Sequence, residues 1–537
     1  MGSGGEPPFD VIVVGSGAAG VSCAWRLVAA GRRVAMVDGG KVPTVVPPDV
    51  PYLEYRRTEE NQGALLFGQD YGAAPRAQDE SPKLRAPSLR YVFEGFTDAY
   101  ALRTTGFKHC GSLAVGGMTN AWGGGVSCFT DADVAGWPIS RSDLVESYRA
   151  VVKRIGVSGR PDDDLRDFFA WDDDLESPLP LVEPAARLLA TYGHHKGRHH
   201  GNRFLLGHAR NAVISDDHGD GRKACDQLGW CLWGCARRSI YSARYEVEML
   251  ARQPGFTHLP GRFVTELTPA ANRWAARGNG PSSGDHFEIS ARHIALACGP
   301  IGTGTLVLRA LRLAGTEVRF CSCPPAAFAV IQPGLVGGAI PERVFAAAQL
   351  SIVLHVDGAP GPIFGNIFSP AGLPVSELIA RSPLPARSSM AFFRWAMPGL
   401  LVGNVFMPSE LSDHRLMLRA DGGVDVTWRY ASALDDRLTR NVRRALGSAM
   451  RSCGAWLMPA GFKPDSPGSD MHYAGTVPML ADPAVHQATH EGEVRGLPGV
   501  FVVDGAALPS LPAKAHTLTI MANADRIAGI MDRRLKG

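Results

Sequence analysis

The sequence predicts an α/β fold in which a doubly wound parallel sheet is joined to an α+β domain built on an antiparallel sheet. Three observations support this prediction. Residues 9–38 have the pattern strand, glycine-rich turn, helix and strand. Residues 290–311 repeat the order strand, glycine and helix, and residues 499–504 add another apolar strand. Residues 312–460 instead contain strand-like segments between glycine and proline turns, which is typical of an antiparallel sheet.

The glycine-rich turn of the first element predicts a nucleotide site. An apolar, β-branched run at residues 11–14 predicts a buried strand. Gly15, Gly17 and Gly20 follow at the G-x-G-x-x-G spacing, which suits a tight turn, a backbone approach to pyrophosphate and close helix packing, respectively. Asp38 ends the second strand and can accept hydrogen bonds from ribose hydroxyls. Because a helix N-terminus also favours phosphate, the motif predicts an ADP-containing ligand, either FAD or NAD.

The composition argues against several classes of partner. A net charge of +3 gives no reason to expect a nucleic acid or an anionic membrane. The sequence has no uninterrupted apolar run long enough to span a bilayer, and no secretory signal precedes the first strand. Because its ten cysteines are scattered rather than arrayed as a framework, we expect reduced thiols in a cytoplasmic protein.

A second glycine-rich stretch lies at residues 110–125. Its glycines suit a backbone that lies against a flat ligand, because side chains there would clash. Residues 40–90 lack periodicity, so we expect an extended excursion before this stretch. After it, the pattern predicts a helix that begins at Ser140 or Ser142 and continues through Ile155.

The remainder of the chain is predicted to alternate between loops and regular elements. Residues 160–222 are polar and are expected to form loops. The later elements are helices at 241–251, 302–311, 435–450 and 517–531, and strands at 257–266, 286–289, 290–299, 350–356, 401–407, 424–430 and 499–504.

Two clusters contain residue types that bind metals, and we predict a metal at neither. The histidines lie in a Gly/Arg/Lys-rich loop that offers no rigid ligand geometry, and the cysteines lack both the usual two-residue spacing and a fourth ligand. The clusters are His194, His195, His199 and His200, and Cys225, Cys231 and Cys235.

Six motifs occur in a fixed order along the chain. They are FDVIVVGSGAAG (9–20), GGMTNAWGGG (116–125), HIALACGPIGT (293–303), HYAGTVPM (472–479), GVFVVDGAALPSLP (499–512) and HTLTIMANADRIA (516–528). In this order they resemble the glucose–methanol–choline (GMC) oxidoreductase family over nearly the full chain, and the second motif is similar to its sugar-oxidising branch, which includes pyranose oxidases. The resemblance implies FAD, an alcohol substrate, a hydride passed to flavin N5, and a final electron acceptor that is oxygen or another compound.

The resemblance also implies a discontinuous FAD-binding domain and a substrate-binding domain. The FAD-binding parts are expected at 8–135, 223–311 and 465–537, with the catalytic histidine in the last part. A helix and loop excursion at 136–222 is expected to belong partly to the substrate domain, whose main part is 312–464.

The cofactor-binding residues are carried over at the positions that match the family motifs. In pyranose oxidases a histidine just before the motif tryptophan bonds covalently to the flavin, and here Ala121 stands in that place, which predicts non-covalent FAD. The predicted residues are Gly15, Gly17, Ala18, Ala19, Gly20, Asp38, Gly117, Thr119, Asn120, Ala121, Trp122, Gly123, Val264, Gly299, Asp504, Gly505, Thr517 and Leu518.

The catalytic residues are expected at two histidines. Oxidation of an alcohol by hydride transfer needs a base for the hydroxyl proton, and His472, in the H-x-x-G-T element, is where the family carries its base. His516 is the candidate partner that holds the alkoxide, although the family's second position also aligns with Ala515. The predicted function is FAD-dependent oxidation of a CH–OH group on a sugar-like, aminosugar or secondary-metabolite alcohol. The alternatives are a flavoprotein with an isomerase or lyase role and a NAD(P)-binding protein without flavin.

Overall fold

A computed structural model of the chain describes residues 9–75, 81–195, 203–280, 282, 284–428 and 436–537. The strands are β1 Phe9–Val14, β2 Val34–Val37, β3 Arg103–Thr105, β4 Val157–Ser158, β5 Leu175–Glu176, β6 Phe204–His208, β7 Phe256–Leu259, β8 Phe263–Ala270, β9 Arg273–Asn279, β10 His286–Leu296, β11 Glu317–Phe320, β12 Pro325–Ile331, β13 Ala348–Leu354, β14 Ile363–Phe368, β15 Leu400–Phe406, β16 His414–Leu418, β17 Val424–Thr427, β18 Trp456–Pro464 and β19 Val500–Val502. The helices are α1 Ala18–Ala29, α2 Tyr52–Thr58, α3 Gly63–Phe67, α4 Pro82–Arg85, α5 Arg90–Phe93, α6 Phe96–Ala99, α7 Val145–Ile155, α8 Arg166–Phe169, α9 Glu183–His194, α10 Ala243–Leu250, α11 Gly299–Ala310, α12 Val375–Ala380, α13 Ala386–Ala396, α14 Asp436–Ser452 and α15 Thr517–Lys536.

The first domain is built on a seven-stranded sheet. Strands β7, β2, β1, β10 and β19 are parallel, and β9 and β8 extend the sheet in the antiparallel direction from the first half of β10. Every side chain of β2 is buried, as expected for a parallel strand covered on both faces. The predicted doubly wound parallel sheet is therefore confirmed.

Helices α1 and α15 lie together against this sheet, although they are far apart in sequence. Nε of Arg32, just after α1, donates to Oδ1 of Asp532 in α15 at 2.7 Å. Helix α15 is buried along most of its length, so its N-terminus is held firmly relative to the sheet. None of the helices in the described ranges carries an apolar run long enough to cross a membrane.

The second domain contains a six-stranded sheet with the order β18-β12-β15-β14-β13-β6, and every pairing in it is antiparallel. Helices α9 and α14 contribute buried side chains such as Leu188 and Val442 to the same core as Ile352 and Val405 of the sheet. This confirms the predicted antiparallel sheet with covering helices.

A four-stranded sheet connects the two domains. Its order is β11-β16-β17-β3, and β3 runs parallel to β17. β3 lies within residues 8–135, which we assigned to the first domain, whereas the other three strands lie within 312–464. A strand of three residues carries too short a pattern to be recognised from sequence.

Several elements differ from the sequence-based expectations. The single strand predicted at 257–266 is two strands, β7 and β8, because Pro260 cannot donate to the ladder and Gly261 takes a φ of +73° between them. The strands predicted at 286–289 and 290–299 are the single strand β10. Strand β9 was not predicted.

The two regions predicted to lack regular structure also contain elements. Residues 40–90 form the short helices α2, α3, α4 and α5, and residues 160–222 contain α8, α9 and β6. Helix α9 buries Ala185, Leu188 and Tyr192 at helical spacing, a pattern that the surrounding polar residues obscured. The positions His199, His200, Tyr430 and Asp435, which entered our predictions, lie outside the described residues.

The helix predicted to start near Ser140 is confirmed. The backbone N–H of Ser140 donates to Oδ2 of Asp143 at 2.7 Å, and the two residues form a capping box ahead of the 3-10 turn Arg141–Leu144 and of α7.

Candidate active site

The turn after β1 is tightly packed at two glycines and open at the third. Gly15 has a φ of +106°, and a Cβ on it would lie 2.3 Å from the carbonyl oxygen of Ala297. A Cβ on Gly20 would lie 1.9 Å from the carbonyl oxygen of Gly15. By contrast, a Cβ on Gly17 would meet no described atom within 4 Å. Gly17 is the N-cap of α1 and no described side chain caps that helix, so its first N–H groups can bind an anion.

Asp38 follows β2, and both of its carboxylate oxygens are engaged. Oδ1 accepts a hydrogen bond from the N–H of Gly40 at 2.9 Å, and Oδ2 lies 3.0 Å from Nε2 of His258. His258 belongs to β7, which pairs with β2. Sequence reasoning missed His258 because it comes 220 residues after Asp38. Each carboxylate oxygen has a second lone pair, so Asp38 can still accept ribose hydroxyls.

The second glycine-rich stretch lies against the first. Gly117, in the 3-10 turn Gly117–Asn120, has a φ of +56°, and a Cβ on it would lie 3.1 Å from Cα of Gly17. The two glycine-rich loops therefore border the same space at the N-terminus of α1.

Polar side chains of the second loop hold it to the start of α10. Oγ1 of Thr119 accepts from the N–H of Ala243 at 2.9 Å, and Nε1 of Trp122 donates to the carbonyl oxygen of Tyr241 at 2.7 Å. Nδ2 of Asn120 donates to two carbonyl oxygens of its own loop. Because these atoms are used within the protein, the loop offers a ligand mainly its backbone.

Asp504 joins the end of β19 to the N-terminus of α11. Its Oδ2 accepts from the N–H of Gly299 at 2.8 Å and from the hydroxyl of Thr303 at 2.6 Å. Burial raises the pKa of Asp504 to about 6. Gly505 comes directly after Asp504 and packs against the segment that carries His472. A Cβ on Gly505 would lie 2.8 Å from the carbonyl oxygen of Tyr473. The cofactor edge and the catalytic segment are thus tied together.

The remaining predicted cofactor residues lie at element ends or in the sheet. Val264 is buried in β8, Ala18 and Ala19 form the first turn of α1, and Thr517 and Leu518 begin α15.

The two predicted catalytic histidines lie side by side. The ring centroids of His472 and His516 are 4.8 Å apart with the rings nearly perpendicular, and the ring of Phe406 lies 4.5 Å from that of His472. Burial, with the nearby His516 as a second cause, holds the pKa of His472 well below its usual range. Burial lowers the pKa of His516 to about 4. Both rings are therefore neutral near pH 7, as a general base must be.

The sequence left open whether His516 or Ala515 aligns with the family's second catalytic position. In the structure the ring of His516 lies beside that of His472. His516 is the N-cap residue of α15, and no described side chain caps that helix. The carbonyl oxygen of Ala515 accepts from Oγ of Ser127 at 2.9 Å, which fixes the chain just before the helix.

Three neighbours of His472 were not identified from the sequence. Phe406 ends β15 and Cys323 follows β11, so both come from the strand region at 312–464 and carry no local signal. Asp470 lies two residues before His472, and this closeness in sequence is the signal by which it could have been identified. His472 therefore has neighbours both from the strand region at 312–464 and from its own C-terminal segment.

Comparisons with known proteins relate two parts of the chain to described families. A family model described as GMC oxidoreductase matches residues 439–524, and one described as FAD binding domain matches residues 10–45. The C-terminal part of the chain is therefore similar to the GMC oxidoreductase family, and its N-terminal part to FAD-binding domains. The resemblance expected from the six motifs is confirmed.

Two individual GMC-like proteins are similar to this chain. The 6'''-hydroxyparomomycin C oxidase of Streptomyces lividus is 26% identical over 312 residues, which are 56% of this chain and 50% of that protein. The match thus spans about half the length of this curated relative. The crystal structure of pyridoxine 4-oxidase from Mesorbium loti has a TM-score of 0.58 and 17% identity, and the match covers 97% of this chain and 99% of that one. At that identity the likeness shows the fold.

FAD is the cofactor that these matches indicate, and the described residues fit it. The fit rests on open space in front of glycine backbone: a Cβ on Gly17, Gly123 or Gly299 would meet no described atom within 4 Å. An uncapped helix N-terminus at α1 adds donors for the pyrophosphate. No comparison tests the individual cofactor residues, the domain boundaries or the expected lack of metal at Cys225, Cys231 and Cys235, which remain predictions.

Proposed function

We propose that the chain oxidises a CH–OH group of a sugar-like, aminosugar or secondary-metabolite alcohol to a carbonyl, with non-covalently bound FAD. The observation that carries this proposal is the pair of neutral histidine rings, 4.8 Å apart, at the N-terminus of α15. A neutral base beside a second ring nitrogen suits the removal of a proton from a hydroxyl group.

The two histidines have different roles at the substrate hydroxyl group. His472 takes the hydroxyl proton, and His516 donates a hydrogen bond that steadies the developing negative charge on oxygen. FAD, when bound, would supply N5 as the acceptor for the hydride that leaves the carbon bearing this hydroxyl group. The start of α15 offers free N–H groups and a positive dipole end to negative charge nearby.

The substrate class is supported by the relatives' names. One relative is named for a hydroxyl group on paromomycin, and the structural neighbour is named for position 4 of pyridoxine. We therefore put alcohols of aminosugar-containing compounds first in a substrate screen, followed by simple sugars and pyridoxine.

The decisive experiment is an anaerobic screen of the purified holoprotein. An alcohol substrate should bleach the oxidised flavin spectrum and yield the carbonyl compound in equal amount. Return of the colour on exposure to oxygen, with hydrogen peroxide formed, would identify oxygen as an electron acceptor. Conversion of a compound into an isomer or cleavage product without net oxidation, while no alcohol bleaches the flavin, would support the isomerase or lyase alternative instead.

The non-covalent state of FAD is supported by Ala121, whose methyl group offers no atom for a flavin bond. Acid precipitation should leave all of the flavin in the supernatant. Flavin retained in the washed pellet would contradict this part of the proposal. A cytoplasmic location is supported by the ten cysteines, which are scattered along the chain rather than arrayed as a disulfide framework.

A further inference from the structure

A buried carboxyl group stands directly beside the base. Oδ2 of Asp470 accepts the backbone N–H of Cys323 at 2.7 Å and that of His472 at 3.3 Å. Between Asp470 and His472, Met471 has a φ of +60°, a left-handed conformation that is uncommon for a residue with a side chain. The backbone therefore holds the carboxyl group in one place, in a turn that includes the base.

Two polar atoms in this turn lack partners. Oδ1 of Asp470 and Nδ1 of His472 are both buried, and neither has a hydrogen-bond partner among the residues that the structure describes. A carboxylate oxygen of Asp470, a ring nitrogen of His472 and Sγ of Cys323 lie within 4.8 Å of one another. Leaving a buried polar atom unpaired costs about 1–3 kcal/mol, so a hydrogen bond between these two atoms would remove the cost for both.

We propose that Asp470 is a positioning residue for the base: its carboxylate accepts the Nδ1–H of His472, which keeps Nε2 free to take the substrate proton. This proposal rests on the proposed function, because it assigns a role to Asp470 through His472. The hydroxyl proton moves to Nε2, the Nδ1 proton stays on the ring, and the resulting imidazolium is paired with the carboxylate. This step transfers one proton and no electrons, since the two electrons of the oxidation leave the carbon with the hydride.

Asp470 is a buried carboxyl group that can accept the Nδ1–H of His472, and its titratable neighbours do not compete for this role. The thiol of Cys323 is neutral because burial raises its pKa far above the usual value. Burial also keeps His516 neutral, with a pKa of about 4. The other titratable groups that act on this turn are Cys321, Glu410 and Asp465.

The arrangement predicts how the base responds to pH. Burial raises the pKa of Asp470 to about 8, so the carboxyl group is neutral below that pH. A neutral carboxyl group can donate to Nδ1, which leaves the ring proton on Nε2 and blocks the base. The rate of flavin reduction should therefore rise as pH increases through about 8.

The first test measures the tautomer of His472 without turnover. In holoprotein labelled with ¹⁵N-histidine, the signal of His472 is identified by its loss in His472→Gln. In the wild type the ring proton should move from Nε2 to Nδ1 as pH rises through about 8. In Asp470→Asn, which keeps the size of the side chain, the tautomer should not change over this range. A wild-type tautomer that is constant with pH, or an unchanged transition in Asp470→Asn, would overturn the proposal.

The second test uses flavin reduction and a matched control. Asp470→Asn should lower the rate constant at pH 9 by about 10- to 100-fold and remove the pH step, with FAD still bound. Asp465→Asn removes an exposed carboxylate whose charge helps to raise the pKa of Asp470, so the pH step should remain and move to lower pH. In a His472→Ala background, Asp470→Asn should add almost no further loss, because it acts through the missing ring.

These tests separate the two proposals. If no alcohol bleaches the wild-type flavin, the proposed function fails, while the tautomer measurement still decides the role of Asp470. If the wild type is reduced and Asp470→Asn is reduced equally fast with the same pH profile, only the role of Asp470 fails.

Discussion

At the N-terminus of α1 the site is made of backbone, whereas at the N-terminus of α15 it is made of side chains. The first end depends on Gly17, in front of which there is open space, and on Gly117, whose added Cβ would lie 3.1 Å from Cα of Gly17. The second end depends on His472, His516 and Phe406, whose rings pack within 4.8 Å of one another in successive pairs. Both ends use a helix N-terminus that no described side chain caps.

This difference determines which substitutions disrupt each of the two helix N-termini. A binding site made of glycine backbone loses its ligand when a side chain is added, because the ligand must approach the main chain closely. A side-chain site fails when an atom is removed, because the proton acceptor or its support is then missing. Substitutions at the two ends should therefore separate FAD binding from catalysis.

The largest effect is expected from Gly17→Val. The added side chain enters space that no described atom fills, so the protein should fold, but the pyrophosphate can no longer approach the turn and FAD content should fall to almost zero. Gly193→Val is the matched control, because Gly193 lies exposed near the end of α9 with equally open space. Flavin absorbance per protein after desalting gives the measurement, and full occupancy in folded Gly17→Val would show that the nucleotide binds elsewhere.

His472→Ala should be next in size and should leave FAD bound. Loss of a general base is typically worth ~10²–10⁴ in rate, so stopped-flow flavin reduction at saturating substrate should slow by about that factor. His293→Ala removes another histidine whose pKa is lowered by burial, at a position in β10 beside Phe501, and should keep the wild-type rate. Reduction of His472→Ala at nearly the wild-type rate at every pH would place the base at His516 or elsewhere.

His516→Ala should cost less, about tenfold or below, because one hydrogen bond to the substrate oxygen is lost and water can replace it. This variant also tests the electrostatic coupling of the pair. Since His516 contributes to the lowered pKa of His472, its removal should raise that pKa, which a pH titration of the His472 signal in ¹⁵N-histidine-labelled protein measures. A loss of flavin-reduction rate as large as that of His472→Ala would indicate that the roles of the two histidines are the reverse of those proposed.

The smallest effect is expected from Phe406→Leu. An aromatic contact contributes about 0.5–1.5 kcal/mol beyond area burial, so the reduction rate should fall roughly threefold, with FAD content unchanged. Phe328→Leu makes the same change in β12, where Phe328 packs into the core beneath α9 and α14. Thermal unfolding should shift in both variants, and an equal change of rate in both would mean that the effect is not local to His472.

The sequence predicted the parts of this site that depend on short-range constraints. Gly15, Gly17 and Gly20 were assigned separate mechanical roles from their spacing, and the structure gives Gly15 and Gly20 the tight contacts that those roles require. The histidines His472 and His516 were found through the ordered family motifs, since nothing in the composition around a lone histidine marks it as a base.

The parts that the sequence did not predict depend on pairing between distant segments. His258 reaches Asp38 only because β7 lies beside β2 in the sheet, and Phe406 reaches His472 only because β15 ends at the boundary between the domains. Strand β3 is a similar case, since its three residues form a strand only against β17. Such contacts are properties of the topology, and no local periodicity records them.

The ion pair between Arg32 and Asp532 joins residues that are 500 positions apart, and it has a consequence for how the protein is made. At a synthesis rate of roughly 5–20 residues per second, α1 leaves the ribosome about 25–100 s before the helix that will cover it. Strand β10, which completes the turn at Gly15, and the segment that carries His472 also emerge during this interval. The strand and the helix that complete the surroundings of α1 are therefore made long after α1 itself.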